Sequence, residues 1–95
     1  MTSKQRAYLR SLANSLEPIF QVGKSGPSPE LVKAIDEALE ARELIKINIL
    51  KNCFDEPRDI CNVICERTRS EGVQVIGRKI VIYRMSKENP KIMLP

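Results

Sequence analysis

Gly23-Lys24-Ser25-Gly26 sets an ammonium and a hydroxyl between two glycines. A residue without Cβ reaches positive φ and lets a foreign backbone come close. The quartet is therefore suited to holding phosphate, with Lys24 supplying charge and Ser25 a hydrogen bond. Taken alone it reads more readily as a plain glycine-rich turn, so the surrounding chain has to shift that reading. Its overlap with the nucleotide-binding signature GxxxxGK[ST] fails on spacing, because Pro18 stands where the first glycine belongs. There is no histidine to activate Ser or Cys and no converging carboxylate pair outside one acidic helix, so no enzymatic activity is expected. Cys61 and Cys65 are four apart and share a helical face, yet Cys53 is the one other cysteine, too few ligands for a tetrahedral zinc site. They read as buried free thiols, and neither metal nor cofactor is expected.

The elements that must position the quartet follow from periodicity and caps. Thr2 and Gln5 form a capping box, and Leu9, Leu12, Ala13 and Leu16 repeat at helical spacing, which predicts a helix over 3–16 ended by Pro18. Its other side holds Lys4, Arg6 and Arg10 with no acid on the helix to pair them. Residues 18–22 read as a strand running into the quartet. Ser28 as N-cap and Pro29 as first helical residue open a second helix, whose first N–H groups and dipole would favour an anion at the turn. In that helix Asp36, Glu37 and Glu40 read as a solvated face.

Ile45, Ile47 and Ile49 alternate with Lys46 and Asn48, a strand with one buried face. A third helix is expected from Asp55 or Glu56 to Arg69, with Asp55 as N-cap. Residues 73–76 and 79–83 form a hairpin through Gly77-Arg78, a type II′ turn. That register places Val73 and Val75 on one face with Ile80 and Ile82, and leaves a second, half-apolar face that something must cover. The order is αβαβαββ. It predicts an α/β two-layer sandwich with a mixed four-stranded sheet and three helices, the first wrapping differently from the other two.

A chain of 95 residues with 42% hydrophobic content suits one domain over 1–95, with 85–95 as a C-terminal extension whose Ile92-Met93-Leu94 could dock. No apolar run suits a membrane span or a signal peptide, so a cytoplasmic protein without membrane association is expected. The net charge of +4 is unevenly spread. Residues 1–26 carry four basic groups against one acid, and 73–95 five against one, while 27–43 carry two against five. Such segregation fits one cationic face turned toward a polyanion, provided the fold joins the two ends. With four aromatics in all, Tyr8, Phe20, Phe54 and Tyr83, recognition is expected to rest on backbone and charge rather than on stacked bases. A GxxG quartet of this sort is used by KH modules to clamp nucleotide backbone, although there it joins two helices.

The segments Lys4-Gln5-Arg6-Ala7-Tyr8-Leu9-Arg10, Pro18 to Gly26, Glu43-Leu44-Ile45-Lys46-Ile47 and Val73 to Arg84, with the closing Leu94-Pro95, resemble the YhbY family of small bacterial proteins. That family is the single-domain form of the CRM domain. The resemblance covers most of the chain in the family's order and spacing. It implies a fold similar to the C-terminal domain of translation initiation factor three, and a non-enzymatic RNA-binding protein; separately, a monomer is expected. The implied partner is ribosomal RNA in precursors of the large ribosomal subunit during ribosome assembly. The implied RNA-binding residues are Gly23, Lys24, Gly26, Lys4, Arg6 and Arg10, with Ser25 where a glycine or another small residue is common. Arg78, Lys79 and Arg84 join them as basic residues of the hairpin. The alternative is a protein-interaction adaptor that binds a ribosomal protein or assembly factor through the half-apolar sheet face or the tail.

Overall fold

A computed structural model describes residues 1–95. Thr2 Oγ1 accepts from the Gln5 N–H and Gln5 Oε1 from the Thr2 N–H, both at 3.0 Å, and this box starts α1 (Ser3–Ala13). The helix ends short of Leu16. Ser11 and Ser15 bond back to the carbonyls of Tyr8 and Leu12, local bonds that compete with continuing helix, although Leu16 still reaches the same apolar cluster. β1 (Phe20–Val22) leads through the glycine turn to α2 (Pro29–Arg42), capped as expected by Ser28, whose hydroxyl accepts from the Leu31 N–H at 3.2 Å. β2 (Leu44–Ile49), α3 (Pro57–Thr68), β3 (Glu71–Ile76) and β4 (Lys79–Tyr83) complete the chain. α3 begins at Pro57 with Glu56, not Asp55, at the cap and no side-chain bond there, so the fixed φ of proline sets its start.

The sheet order is β1-β2-β4-β3, with β1 and β2 parallel and the other pairs antiparallel. Ile45, Ile47 and Ile49 of β2 meet Ile35 and Leu39 of α2 and Ile60 and Ile64 of α3, together with Ile80 and Ile82. This is the predicted two-layer sandwich. α1 takes the opposite face of the same sheet, where Leu9 and Ala13 pack on Leu44, Val73, Val81 and Tyr83. One register expectation fails. A β-bulge between Gly72 and Gln74 pairs Gly72 with Ile82 and turns Val73 toward α1, whereas Val75 keeps its predicted place opposite Ile80.

The half-apolar face is thus covered in part by α1, at Leu44, Val73, Val81 and Tyr83, and the C-terminal extension adds Ile92 and Leu94 to the same cluster. Its backbone is held by two carboxylates of α2 and its cap. Glu43, with no exposed surface, accepts from the N–H groups of Ser86 (2.8 Å), Lys91 (2.7 Å) and Ile92 (2.8 Å). Glu40 accepts from Ser86 Oγ at 2.7 Å and from the Lys87 and Glu88 amides at 3.1 Å. Of the acidic face of α2 read from sequence as solvated, Glu37 and Asp36 are exposed, Asp36 pairing with Arg84, while Glu40 is taken up by the tail. No helix is long and apolar enough to cross a membrane.

Candidate functional site

Val22 pairs with Ile49 at the end of β2, and Lys79 pairs with Ile76 at the start of β4. The glycine turn, the β2–α3 loop and the hairpin Gly77-Arg78 therefore share one end of the sheet. In the turn, the Gly26 N–H bonds the Gly23 carbonyl at 3.0 Å and Gly26 sits at φ 67. The amides of Lys24 and Ser25 have no partner in the protein, and both residues are exposed. Lys24 forms no ion pair, the two in the molecule belonging to Arg84. Two free amides beside an unpaired ammonium leave donors and charge available to an anion at the turn. The start of α2 adds less than its sequence promised. Pro29 has no N–H, the Leu31 and Val32 amides are taken by Ser28, and Glu30 brings a carboxylate to the first turn. From outside the turn, Arg67 of α3 braces it through Nη1 to the Pro27 carbonyl at 3.0 Å.

The basic residues of α1 stand elsewhere. Arg6 donates to the carbonyl of Gly72, at the start of β3. β1 and β3 are the outer strands, and Gly72 lies level with Ile45 while Val22 lies level with Ile49, so Arg6 and the glycine turn occupy diagonally opposite corners. Arg10 and Asn14 follow Arg6 at four-residue steps along one side of α1, whereas Lys4 is exposed on the outer side of the helix. Asn14 borders a hollow that it shares with Lys46, Gln74, Ile76, Lys79 and Val81. Strand alternation places Gln21, Asn48 and Lys79 side by side on this uncovered part of the α1 face. The open sheet thus links the two corners with two lysines and no acid. Lys46 and Asn48, absent from the sequence assignment, announce themselves only as the polar half of an alternating strand.

Arg78 and Arg84 are committed within the protein. The Arg78 guanidinium donates through Nε to the Ile49 carbonyl at 2.9 Å and through Nη2 to Leu50 at 2.6 Å, with Cys53 at 3.5 Å. Arg84, with 14% of its side chain exposed, bonds Asp36 and the Thr68 carbonyl on the α2 and α3 side of the sheet. Lys79 remains exposed beside the turn end. Cys61 and Cys65 lie with their sulfurs 3.9 Å apart, and no group of three or more His, Cys, Asp or Glu side chains converges as metal ligands would.

The chain is similar to known proteins over its full length. The CRS1 / YhbY (CRM) domain matches residues 1–84. The chain is 50% identical over its full length to the probable RNA-binding protein YqeI of Bacillus subtilis, of which it covers 99%. It is 35% identical to a Haemophilus influenzae protein named as an RNA-binding protein, again over all of this chain and 95% of the relative. The solution structure of the hypothetical protein SAV1595 from Staphylococcus aureus superposes with a TM-score of 0.84 at 55% identity, covering 100% of this chain and 99% of that one.

Proposed function

The chain belongs to the CRS1 / YhbY (CRM) domain family, and from that premise we propose that it binds RNA without catalysing a reaction. In this reading the partner is ribosomal RNA in precursors of the large ribosomal subunit. The observation that carries the RNA assignment is the pair of unpartnered amides at Lys24 and Ser25 beside the free Lys24 ammonium, on a backbone kept bare by Gly23 and Gly26. A phosphate there gains charge and directed donors at once. Relatives named for RNA binding support the same reading. From the turn, the RNA backbone crosses Asn48, Lys79 and Lys46 toward Arg10, and the corner at Arg6 is the far end of the track.

The adaptor reading loses most of the apolar surface it needs. α1 covers part of the half-apolar sheet face and leaves a largely polar remainder, and Ile92 and Leu94 are used against the protein's own core. Crosslinking in cells followed by mapping of contacted nucleotides tests the proposal. Crosslinks concentrated in large-subunit ribosomal RNA precursors are expected, reduced in a Lys24→Ala strain. Crosslinks spread evenly over cellular RNA, or none, would reject the ribosomal assignment.

A further inference from the structure

Phe54, in the loop between β2 and α3, is 89% exposed, the most exposed large apolar side chain of the molecule. Single exposed apolar residues are ordinary, and a loosely held one would carry no argument. The loop segment that leads to this one is firmly held. The Leu50 N–H bonds the Val22 carbonyl at 2.8 Å, and the Cys53 N–H bonds Leu50 at 3.1 Å. Arg78 spans the same loop by donating to the carbonyls of Ile49, Leu50 and Cys53. Cys53 is buried in the main core, and its neighbour Phe54 faces out.

The loop is also the wall of the glycine turn. A Cβ on Gly23 would stand 3.4 Å from Leu50 Cδ1 and 3.5 Å from Asn52 Oδ1. Phe54 follows Asn52 by two residues, so their Cα atoms are at most about 7 Å apart. The loop that carries Phe54 thus packs against the glycine turn, and each segment bears an exposed lysine, Lys51 and Lys24. Asp55 and Glu56, exposed immediately after Phe54, repel phosphate on the α3 side and leave the approach from the turn.

We propose that Phe54 is a stacking platform for one unpaired base of a single-stranded RNA whose adjoining phosphate sits at the Lys24-Ser25 turn. The proposal rests on the RNA reading of that turn and departs from the expectation that stacking plays no part. Every base presents a π-face, so the contact selects unpaired nucleotides and not a sequence, and a duplex, whose bases are already stacked, is excluded from it.

The chain has no tryptophan, so Phe54→Trp installs a single indole at the site. This variant is titrated with an end-labelled single-stranded oligouridylate whose anisotropy reports binding independently, and with a duplex of equal length. Quenching of the indole in step with anisotropy is expected for the single strand alone. Phe54→Ala should weaken single-strand binding about tenfold without changing the salt slope, because stacking neutralises no phosphate. The side chain is solvent-exposed, so both variants should keep the parent urea midpoint. Binding by anisotropy with unchanged emission, and a Phe54→Ala affinity equal to the parent's, would overturn the stacking role, free the side chain for a protein partner and leave the RNA reading intact. Absence of binding to any RNA at low salt would remove that reading, and this proposal with it.

Discussion

At Gly26 the backbone sits at φ 67 with nothing within 4 Å of where a Cβ would stand, whereas Gly23 has no positive φ and its Cβ would make ordinary contact with Leu50 and Asn52. Conformation therefore demands glycine at 26, and the protein's own packing does not demand it at 23. Gly26→Ala should cost about 1 kcal/mol in a urea titration, the strain of a left-handed non-glycine residue, while Gly23→Ala should stay close to the parent. On the RNA reading Gly23→Ala still lowers affinity, since its methyl occupies the surface a phosphodiester approaches. An unchanged affinity would show that the close approach is not used. Among the thiols, the hydrogen bond from Cys61 pulls Cys65 down to about 7, against burial and with help from Ser70. The same bond, with burial, pushes Cys61 up. Cys65 should accordingly be the thiol alkylated first near neutral pH, and Cys61→Ala should move the midpoint of its rate against pH upward, as read by mass spectrometry of the labelled peptides. A midpoint that stays in place would exclude the thiol pair as the cause.

The C-terminal extension is an element held by carboxylates rather than by a helix or strand of its own. Hydrogen bonds from Ser86, Lys87 and Glu88 lower the Glu40 carboxyl from its ordinary 4.5 to about 2. Burial pushes Glu43 up, but the amides of Ser86, Ile92 and Lys91 outweigh it, so Glu43 also titrates below its ordinary range. Both groups bind protons less readily in the folded protein than in the unfolded chain. The contribution of Glu40 is therefore complete above about pH 4.5 and is lost as the pH falls toward about 2, and that of Glu43 is likewise lost on acidification. Amide chemical shifts of Lys87 and Glu88, the partners of Glu40, should hold steady from neutral pH to about 4.5 and then move toward disordered values as the pH falls toward about 2, ahead of those in β2 and β4. Coincident loss of tail and sheet would mean that the carboxylates do not hold the tail as a separate unit. Glu43 itself sits at φ 68, a strained position for a residue with a Cβ, and the three amides it accepts offset that cost.

For the molecule as a whole, the basic residues form two corners joined by an open sheet face, and the salt dependence of binding measures how many of them meet phosphate. On single strands the log-log slope should be roughly −0.7 for each phosphate neutralised. Lys24→Ala and Lys79→Ala should each reduce its magnitude by less than about one, and substitution of the committed Arg84 should leave it unchanged. Equal effects from Lys24 and Arg84 would place the RNA on a different surface. The ends of the chain do meet, with Gln5 Nε2 bonding the Pro95 carbonyl at 3.2 Å and Ile92 and Leu94 against the cluster of Leu9 and Ala13. That meeting lies on the α1 side and not at the glycine turn, so nearness of the termini does not concentrate all the basic residues in one place.

The sequence by itself determined what acts over a few residues. The Thr2-Gln5 box, the Ser28-Pro29 helix start, the alternation of Ile45, Ile47 and Ile49, and the Gly77-Arg78 turn follow from hydrogen bonds and periodicities spanning at most a turn or a strand. The glycine quartet belongs with them, as does the hairpin pairing of Val75 with Ile80. Tertiary structure decided the rest, because whether a charged group is free depends on what the distant chain lays against it. Arg84 meets Asp36 across 48 residues, Arg78 meets Ile49 across 29, and Glu43 is buried by amides more than 40 residues away. Sheet order then separates Arg6 from the turn, and one bulge turns Val73 to the other face. No local pattern encodes those distances, and they decide which basic residues of this chain are left to bind.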